Sequence, residues 1–330
     1  MIVDAHAHLI SPSAIDMARR EPDTYGVHVT NVDGTIRLRL GDQPPIRPLL
    51  EPLYTLGAYL SFMRSHGITG ALMGPLMDAV GYHLPPRQGQ AWSRVLNEGL
   101  AETLKAADLR VLGLASVPLQ DPSAAAAELR HAVLSLEFRG AMIDTNMQGR
   151  ALGDTAFDPF WRTAVDLGVP VVLHPYWLES VPRFNDYYLH NLVGYPFETT
   201  LAACSLIFGS TLERMPELTV VLVHGGGFFP YQVGRFDHGH QVRPEPRSRG
   251  AGPASRYMRR FYYDTITHSR QSLRFLCDAV GADRLLLGSD YPFPLGDPEP
   301  VRAVREAKLG EIAERAALGG NAMQIFRLEV

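Results

Sequence analysis

Lysine is nearly missing from this chain: Lys105 and Lys308 stand against 29 arginines in 330 residues. Both lie in polar, helix-like stretches, so no lysine is offered at a strand end to be carboxylated and bridge a pair of metal ions. Cysteine is scarce as well. Cys204 and Cys277 sit far apart in apolar helical patterns and read as buried thiols of a reducing compartment, not as a disulfide framework. The cytoplasm is therefore the expected location. No run reaches the 18 or more apolar residues of a membrane span, and no basic segment followed by an apolar core opens the chain as a secretory signal would. Positive charge is not in excess either. A net charge of −4 and a pI near 6.3 argue against a nucleic-acid partner. Three motifs are missing too. Without Gly-x-Gly-x-x-Gly after the first strand, a dinucleotide-binding sheet loses its support. Without a Gly-x-Ser-x-Gly elbow or a Gly-x-x-x-x-Gly-Lys-Ser/Thr loop, so do an esterase and a phosphate-binding loop.

What is present is a globular composition, 46% hydrophobic and 20% charged, with enough apolar residues for a sizeable core. Strand and helix patterns alternate along it. Strand-like runs are expected near residues 1–8, 68–73, 110–117, 140–144, 169–173, 218–223, 261–266 and 285–287. Helices are expected at 49–66, 88–107, from Asp121-Pro122-Ser123 to Leu136, and at 159–167, 197–214 and 271–280. Eight strands alternating with helices in one chain predict an α/β fold, a (β/α)₈ barrel forming a single domain over 1–330. Residues 11–50 interrupt the alternation. There Asp33-Gly34, between two alternating runs, signals a hairpin, read as a small inserted flap. The proline-punctuated stretch from Arg243 to Arg260 reads as a surface loop.

Chemistry begins at the first strand, Asp4-Ala5-His6-Ala7-His8. Alternation puts Asp4, His6 and His8 on one face, where they can converge on an ion, and imidazole is a preferred ligand for zinc and similar metals. Side chains at the C-terminal ends of barrel strands face the active site. Those ends supply His174 after strand five, His224 after strand six and Asp290 after strand eight. His224 precedes Gly225-Gly226-Gly227, glycines that leave space beside its ring. A histidine titrating near neutrality can take a proton from metal-bound water.

With these residues in place the chain resembles the amidohydrolase superfamily, more narrowly its mononuclear-zinc branch of aminocarboxymuconate-semialdehyde decarboxylase type. Asp4–His8, His174-Pro175, Glu198-Thr199-Thr200, His224–Gly227 with Val233-Gly234-Arg235, Gly288–Pro294 and Gly320-Asn321-Ala322 carry the likeness in order. The resemblance implies one divalent ion, most simply Zn²⁺, held by His6, His8, His174 and Asp290, with His224 activating the bound water and Asp290 shared between ligation and catalysis. It also implies Arg47 and Arg235 on substrate carboxylates, Phe293 beside the substrate, and a homodimer across whose interface Arg235 reaches. Residues Tyr187–Asn191 and Met73–Pro86 depart from that pattern. The function expected is a metal-dependent, non-oxidative decarboxylase of a small unsaturated or aromatic mono- or dicarboxylic acid. A hydrolase or hydratase on the same metal centre is the alternative, and a barrel that binds without catalysis is a third.

Overall fold

The computed structural model describes residues 1–176, 178 and 182–328. Its strands, in chain order, are β1 (Val3–Leu9), β2 (Val27–Val32), β3 (Thr35–Leu40), β4 (Gly70–Pro75), β5 (Arg110–Gly113), β6 (Ala141–Ile143), β7 (Asn146–Met147), β8 (Arg150–Ala151), β9 (Val171–Leu173), β10 (Val220–Leu222), β11 (Phe261–Asp264) and β12 (Leu285–Leu286). Two parallel sheets carry the order β1-β4-β5 and β12-β11-β10-β9-β6. Parallel bridges join them at both edges, Ala115 to Ala141 and Ala7 to Tyr291, so eight strands stand in a ring. Backbone bonds reinforce the seams: Ala5 N donates to Leu287 O at 2.8 Å, and Met142 N to Ala115 O at 3.0 Å.

Local sequence accounts for the parts. The inner strands Val171–Leu173 and Val220–Leu222 are continuous apolar runs buried on both faces, as parallel strands covered by helices must be. Asp121 opens the Pro122–Ser135 helix by accepting from Ser123 N and Ala124 N, and Ser269 opens Arg270–Val280 by accepting from Ser272 N. Asp33 and Gly34, both left-handed, turn β2 into β3 with antiparallel pairing from Val27–Leu40 to Val32–Thr35. The hairpin's inner face, Val27, Leu38 and Leu40, packs with Trp92 and Ile46 in a cluster separate from the main core.

Four expectations are corrected. The helix expected over 197–214 is two helices, Tyr195–Phe208 and Thr211–Arg214. Gly209 packs against Gly153, where a Cβ would meet Gly153 O at 2.7 Å, and Ser210 adopts a left-handed φ that ends the run. The helix expected from residue 49 begins at Leu56, because Glu51-Pro52-Leu53 forms a separate turn. The stretch Arg243–Arg260 is not all surface: Tyr257 and Met258 are buried within it. Cys204 and Cys277 are free thiols but only partly buried. Among the described residues no helix is long and apolar enough to cross a membrane.

Candidate metal centre

Four strand ends deliver the cluster. His6 and His8 rise from β1, His174 follows β9, His224 follows Val223 beyond β10, and Asp290 follows β12. Asp290 Oδ1 lies 3.0 Å from His8 Nε2, 3.3 Å from His6 Nε2 and 3.7 Å from His174 Nε2, while its Oδ2 lies 3.5 Å from His224 Nε2. His6 Nε2 and His8 Nε2 are 3.1 Å apart. The potential ligand atoms of His6, His174, His224 and Asp290 all lie within 4.8 Å of one another. Two of these residues, His224 and Asp290, hold positive φ values (55° and 56°), uncommon without glycine and costly enough to mark a functional position.

The outer contacts decide which ring nitrogens face inward. His6 Nδ1 meets Asp264 Oδ2 at 2.8 Å, His8 Nδ1 meets Pro75 O at 2.9 Å, and His174 Nδ1 meets Pro175 O at 3.1 Å. These oxygens can only accept, so each Nδ1 carries a proton and each Nε2 is the ring nitrogen turned to the centre, where its lone pair serves an ion once that nitrogen is deprotonated. His174 Nε2 is buried without a hydrogen-bond partner. Lone pairs crowded this closely beside a carboxylate repel unless a cation lies among them. The donor set, imidazoles plus one carboxylate, suits zinc or a similar divalent ion.

The electrostatics agree. Burial opposes charge on His6, but Asp290 and Asp264 outweigh it and raise that imidazole to about 10. Burial lowers His8, and it holds His174 well below its ordinary value. Burial would raise Asp290, yet the His6 charge and the surrounding imidazoles hold it well below the usual carboxylate range.

Above the cluster lies a cavity of about 650 Å³, with His174, His224 and Asp290 on its floor. Phe228, Phe275, Leu276 and Phe293 give it apolar walls, and Thr267, His268 and Gln271 line it as polar groups. Tyr188 and Asn191, from the segment that departs from the family pattern, also line it. Thr200 holds the glycine loop in place by accepting from Phe228 N at 2.8 Å. Gly227 is required there: at φ 63° a Cβ would sit 2.1 Å from Pro196 O.

Two expected site residues behave differently from the sequence reading. Asp4 does not join the ion cluster. The β1 register shifts between Asp4 and Ala7, and the Asp4 carboxylate accepts from Ser289 Oγ (2.5 Å), Ser289 N (3.0 Å) and Tyr59 Oη (2.9 Å). Its work is to tie β1 to the loop carrying Asp290. Arg47 lines the cavity over the Phe293 ring, 4.7 Å from its centroid. Its Nε and Nη2 both donate to Asp78 at 2.7 Å, so the fork expected to meet a substrate carboxylate already holds one. Arg235 is exposed on the Phe229–Val242 helix and does not line this cavity. Phe293 stands 5.2 Å from the His8 ring, at the cavity wall.

Two residues were missed. Asp264 ends β11 and holds both His6 and the glycine loop, accepting from Gly225 N at 2.8 Å. Its signal was the same as that of the histidines, but a strand expected to run to Ile266 concealed the strand end. Asp78 gave no signal, because its meaning lies in a partner 31 residues away.

Comparison with known proteins supports the same assignment. The amidohydrolase family pattern matches residues 3–328. The chain is 35% identical over 259 residues to 2-amino-3-carboxymuconate-6-semialdehyde decarboxylase of Dictyostelium discoideum, covering 76% of this chain and 70% of that protein. It superposes on 5-carboxyvanillate decarboxylase of Sphingomonas paucimobilis with a TM-score of 0.83 at 25% identity, covering 99% of each. A dihydroxybenzoic acid decarboxylase of Polaromonas, solved with bound manganese and 2-nitroresorcinol, gives a TM-score of 0.79 at 22% identity over 99% of this chain and 97% of that one. The chain belongs to the amidohydrolase family, in its branch of metal-dependent, non-oxidative carboxy-lyases.

Proposed function

We propose that the chain is a homodimeric, cytoplasmic zinc enzyme that removes carbon dioxide from a small aromatic or unsaturated carboxylic acid. In this reading His6, His8, His174 and Asp290 hold the ion, and His224 is the acid/base. The observation that carries it is the set of inward-facing Nε2 atoms around Asp290, at the floor of a largely apolar cavity. When bound, the ion supplies Lewis-acid polarisation of substrate oxygens and offsets the negative charge that develops as carbon dioxide leaves.

The protein's own groups do the rest. Phe293, Phe228 and Phe275 flank a planar acid and exclude water from the breaking bond. The carbon–carbon bond to the carboxylate breaks and leaves its electron pair on the ring or alkene carbon. His224 Nε2, at the cavity floor, delivers the proton that this carbon takes up. Asp290 keeps His224 oriented through Oδ2 at 3.5 Å.

A second copy would cover the mouth. Leu192, Phe228, Tyr231 and Phe275 are 52%, 40%, 76% and 44% exposed, a concentration of apolar surface beside the site. Arg235 lies on the same helix as Tyr231, and in this reading it would serve a neighbouring subunit's cavity.

The deciding experiment is elemental analysis of the purified protein followed by carbon dioxide release over muconate-type and hydroxybenzoate-type acids. Stoichiometric zinc with carbon dioxide evolved from one class supports the reading. Water incorporation without carbon dioxide would replace it with a hydratase or hydrolase.

A further inference from the structure

The backbone on both sides of Asp290 is held one peptide unit at a time. Asp290 N donates to His6 O at 2.8 Å, Ser289 N to Asp4 Oδ1 at 3.0 Å, and Tyr291 N to Ser289 Oγ at 3.1 Å. Ser289 Oγ is free to accept from Tyr291 because its own proton goes to Asp4 Oδ2 at 2.5 Å. Two further donors reach the same carboxylate: His6 N meets Oδ1 at 3.1 Å and Tyr59 Oη meets Oδ2 at 2.9 Å. Asp4, Tyr59 and Ser289 are all buried, so a lost partner leaves a polar group stranded. Tyr59 belongs to the helix Leu56–Ser65, and its ring also packs on Tyr291 with centroids 5.1 Å apart. That helix therefore grips the Asp290 loop at two points. The loop needs the restraint. Asp290 holds φ 56°, sparsely populated for a residue with a Cβ and kept only where the surroundings impose it. Its Oδ1 must stay within 3.7 Å of three imidazole nitrogens while it does so.

We propose that Tyr59 and Ser289, acting through Asp4, are positioning residues for the metal: they hold the Asp290 carboxylate where the imidazoles can share an ion with it. None of the three lines the cavity above the cluster. Their influence passes through hydrogen bonds behind the ligands, as that of outer partners does at other metal sites. The order of dependence follows from the bonds. Without the Tyr59 hydroxyl, Asp4 Oδ2 keeps one donor of two and its side chain is less firmly oriented. Without Ser289 Oγ, Asp4 and Tyr291 N each lose a partner, and the turn can relax toward an ordinary backbone conformation that swings Asp290 off the imidazoles. The role of Tyr59 rests on the metal reading above and is independent of which acid the enzyme takes.

The test reads zinc affinity by competition with a chromogenic chelator, and ligand geometry by the visible absorption of the cobalt(II)-loaded protein. Both are measured at a temperature where circular dichroism shows each metal-free variant folded. Tyr59→Phe keeps the ring against Tyr291 and removes only the hydroxyl, so it should bind zinc about three- to tenfold more weakly. Ser289→Ala should lose about 10- to 100-fold, as removal of an outer partner does, with the cobalt bands shifted. Asp4→Asn should fall in the same range. Adding Tyr59→Phe to it should cost little more, because the hydroxyl acts through that carboxylate. Phe62→Leu is the control: its ring packs 4.9 Å from that of Tyr291 without joining these hydrogen bonds. It should lower the melting temperature and leave zinc affinity and the cobalt bands unchanged. The proposal is overturned if folded Tyr59→Phe and Ser289→Ala hold zinc as tightly as the wild type, or if Phe62→Leu weakens zinc as much as they do. Should Asp4→Asn fail to fold, those two variants decide alone. A wild type that takes up neither zinc nor cobalt overturns the metal reading and this proposal together. A wild type that binds zinc beside indifferent variants overturns this proposal only.

Discussion

His6 on the first barrel strand donates from Nδ1 to Oδ2 of Asp264 at the end of the seventh, a 2.8 Å bond between residues 258 positions apart. The same carboxylate accepts from Gly225 N through Oδ1, so one side chain sets both a metal-facing imidazole and the loop that carries His224.

Asp264→Asn tests that link. The amide oxygen can still serve Gly225, but its NH₂ faces His6 Nδ1–H and pushes the ring toward the other tautomer. Metal affinity should fall by about 10- to 100-fold, as loss of an outer partner usually does, with the fold retained. A competition titration against a chromogenic chelator reads this. Unchanged affinity would mean that Asp264 is ornamental to the site.

The ligand set is expected to fail one member at a time. His6→Ala, His8→Ala, His174→Ala and Asp290→Ala should each lose stoichiometric metal in elemental analysis, because each removes a donor from the cluster. The wild type should hold one tight ion per chain, since Lys105 and Lys308 are exposed and remote from the strand ends. Two tightly held ions per chain would contradict this.

Metal affinity should rise with pH. His6 is raised from 6.5 to about 10, so before the ion binds its imidazole keeps a proton at neutral pH. The sign for folding follows: the stabilisation from that raised value is fully present below about 6.5 and is lost as pH climbs through about 10. Metal must displace the proton, so the dissociation constant should drop about tenfold per pH unit across the neutral range. Equal constants at two pH values one unit apart would show that His6 binds no ion.

His224→Asn separates two roles. If His224 is the acid that delivers the proton, the variant keeps its metal and loses turnover by about 10²- to 10⁴-fold, with the alkaline limb of the pH–rate profile altered. Loss of metal would instead make His224 a ligand, a role its place among the four atoms within 4.8 Å allows. Near-wild-type turnover would dismiss it from the chemistry.

Much of the molecule was legible in the chain itself. Alternating strand and helix patterns determined the barrel, because a strand buried on both faces must be an uninterrupted apolar run and the helices covering it must be periodic. The barrel then determined where to look. His6 and His8 lie in the C-terminal half of β1, His174, His224 and Asp290 follow the ends of later strands, and those ends converge. Tertiary structure decided what depends on distance in space. The register of β1 shifts between Asp4 and Ala7, and Asp4 bonds to Ser289 and Tyr59 instead of joining the cluster, a change that strict alternation does not register. Gly209 and Ser210 broke a helix because Gly153, far off in sequence, presses against it. Arg47 read as a free carboxylate grip until the fold laid Asp78 against it. Asp264 gained its meaning only beside His6. Sequence fixes the type and order of side chains. Which charges neutralise one another is settled by closure of the ring, which brings residues hundreds of positions apart within hydrogen-bonding distance.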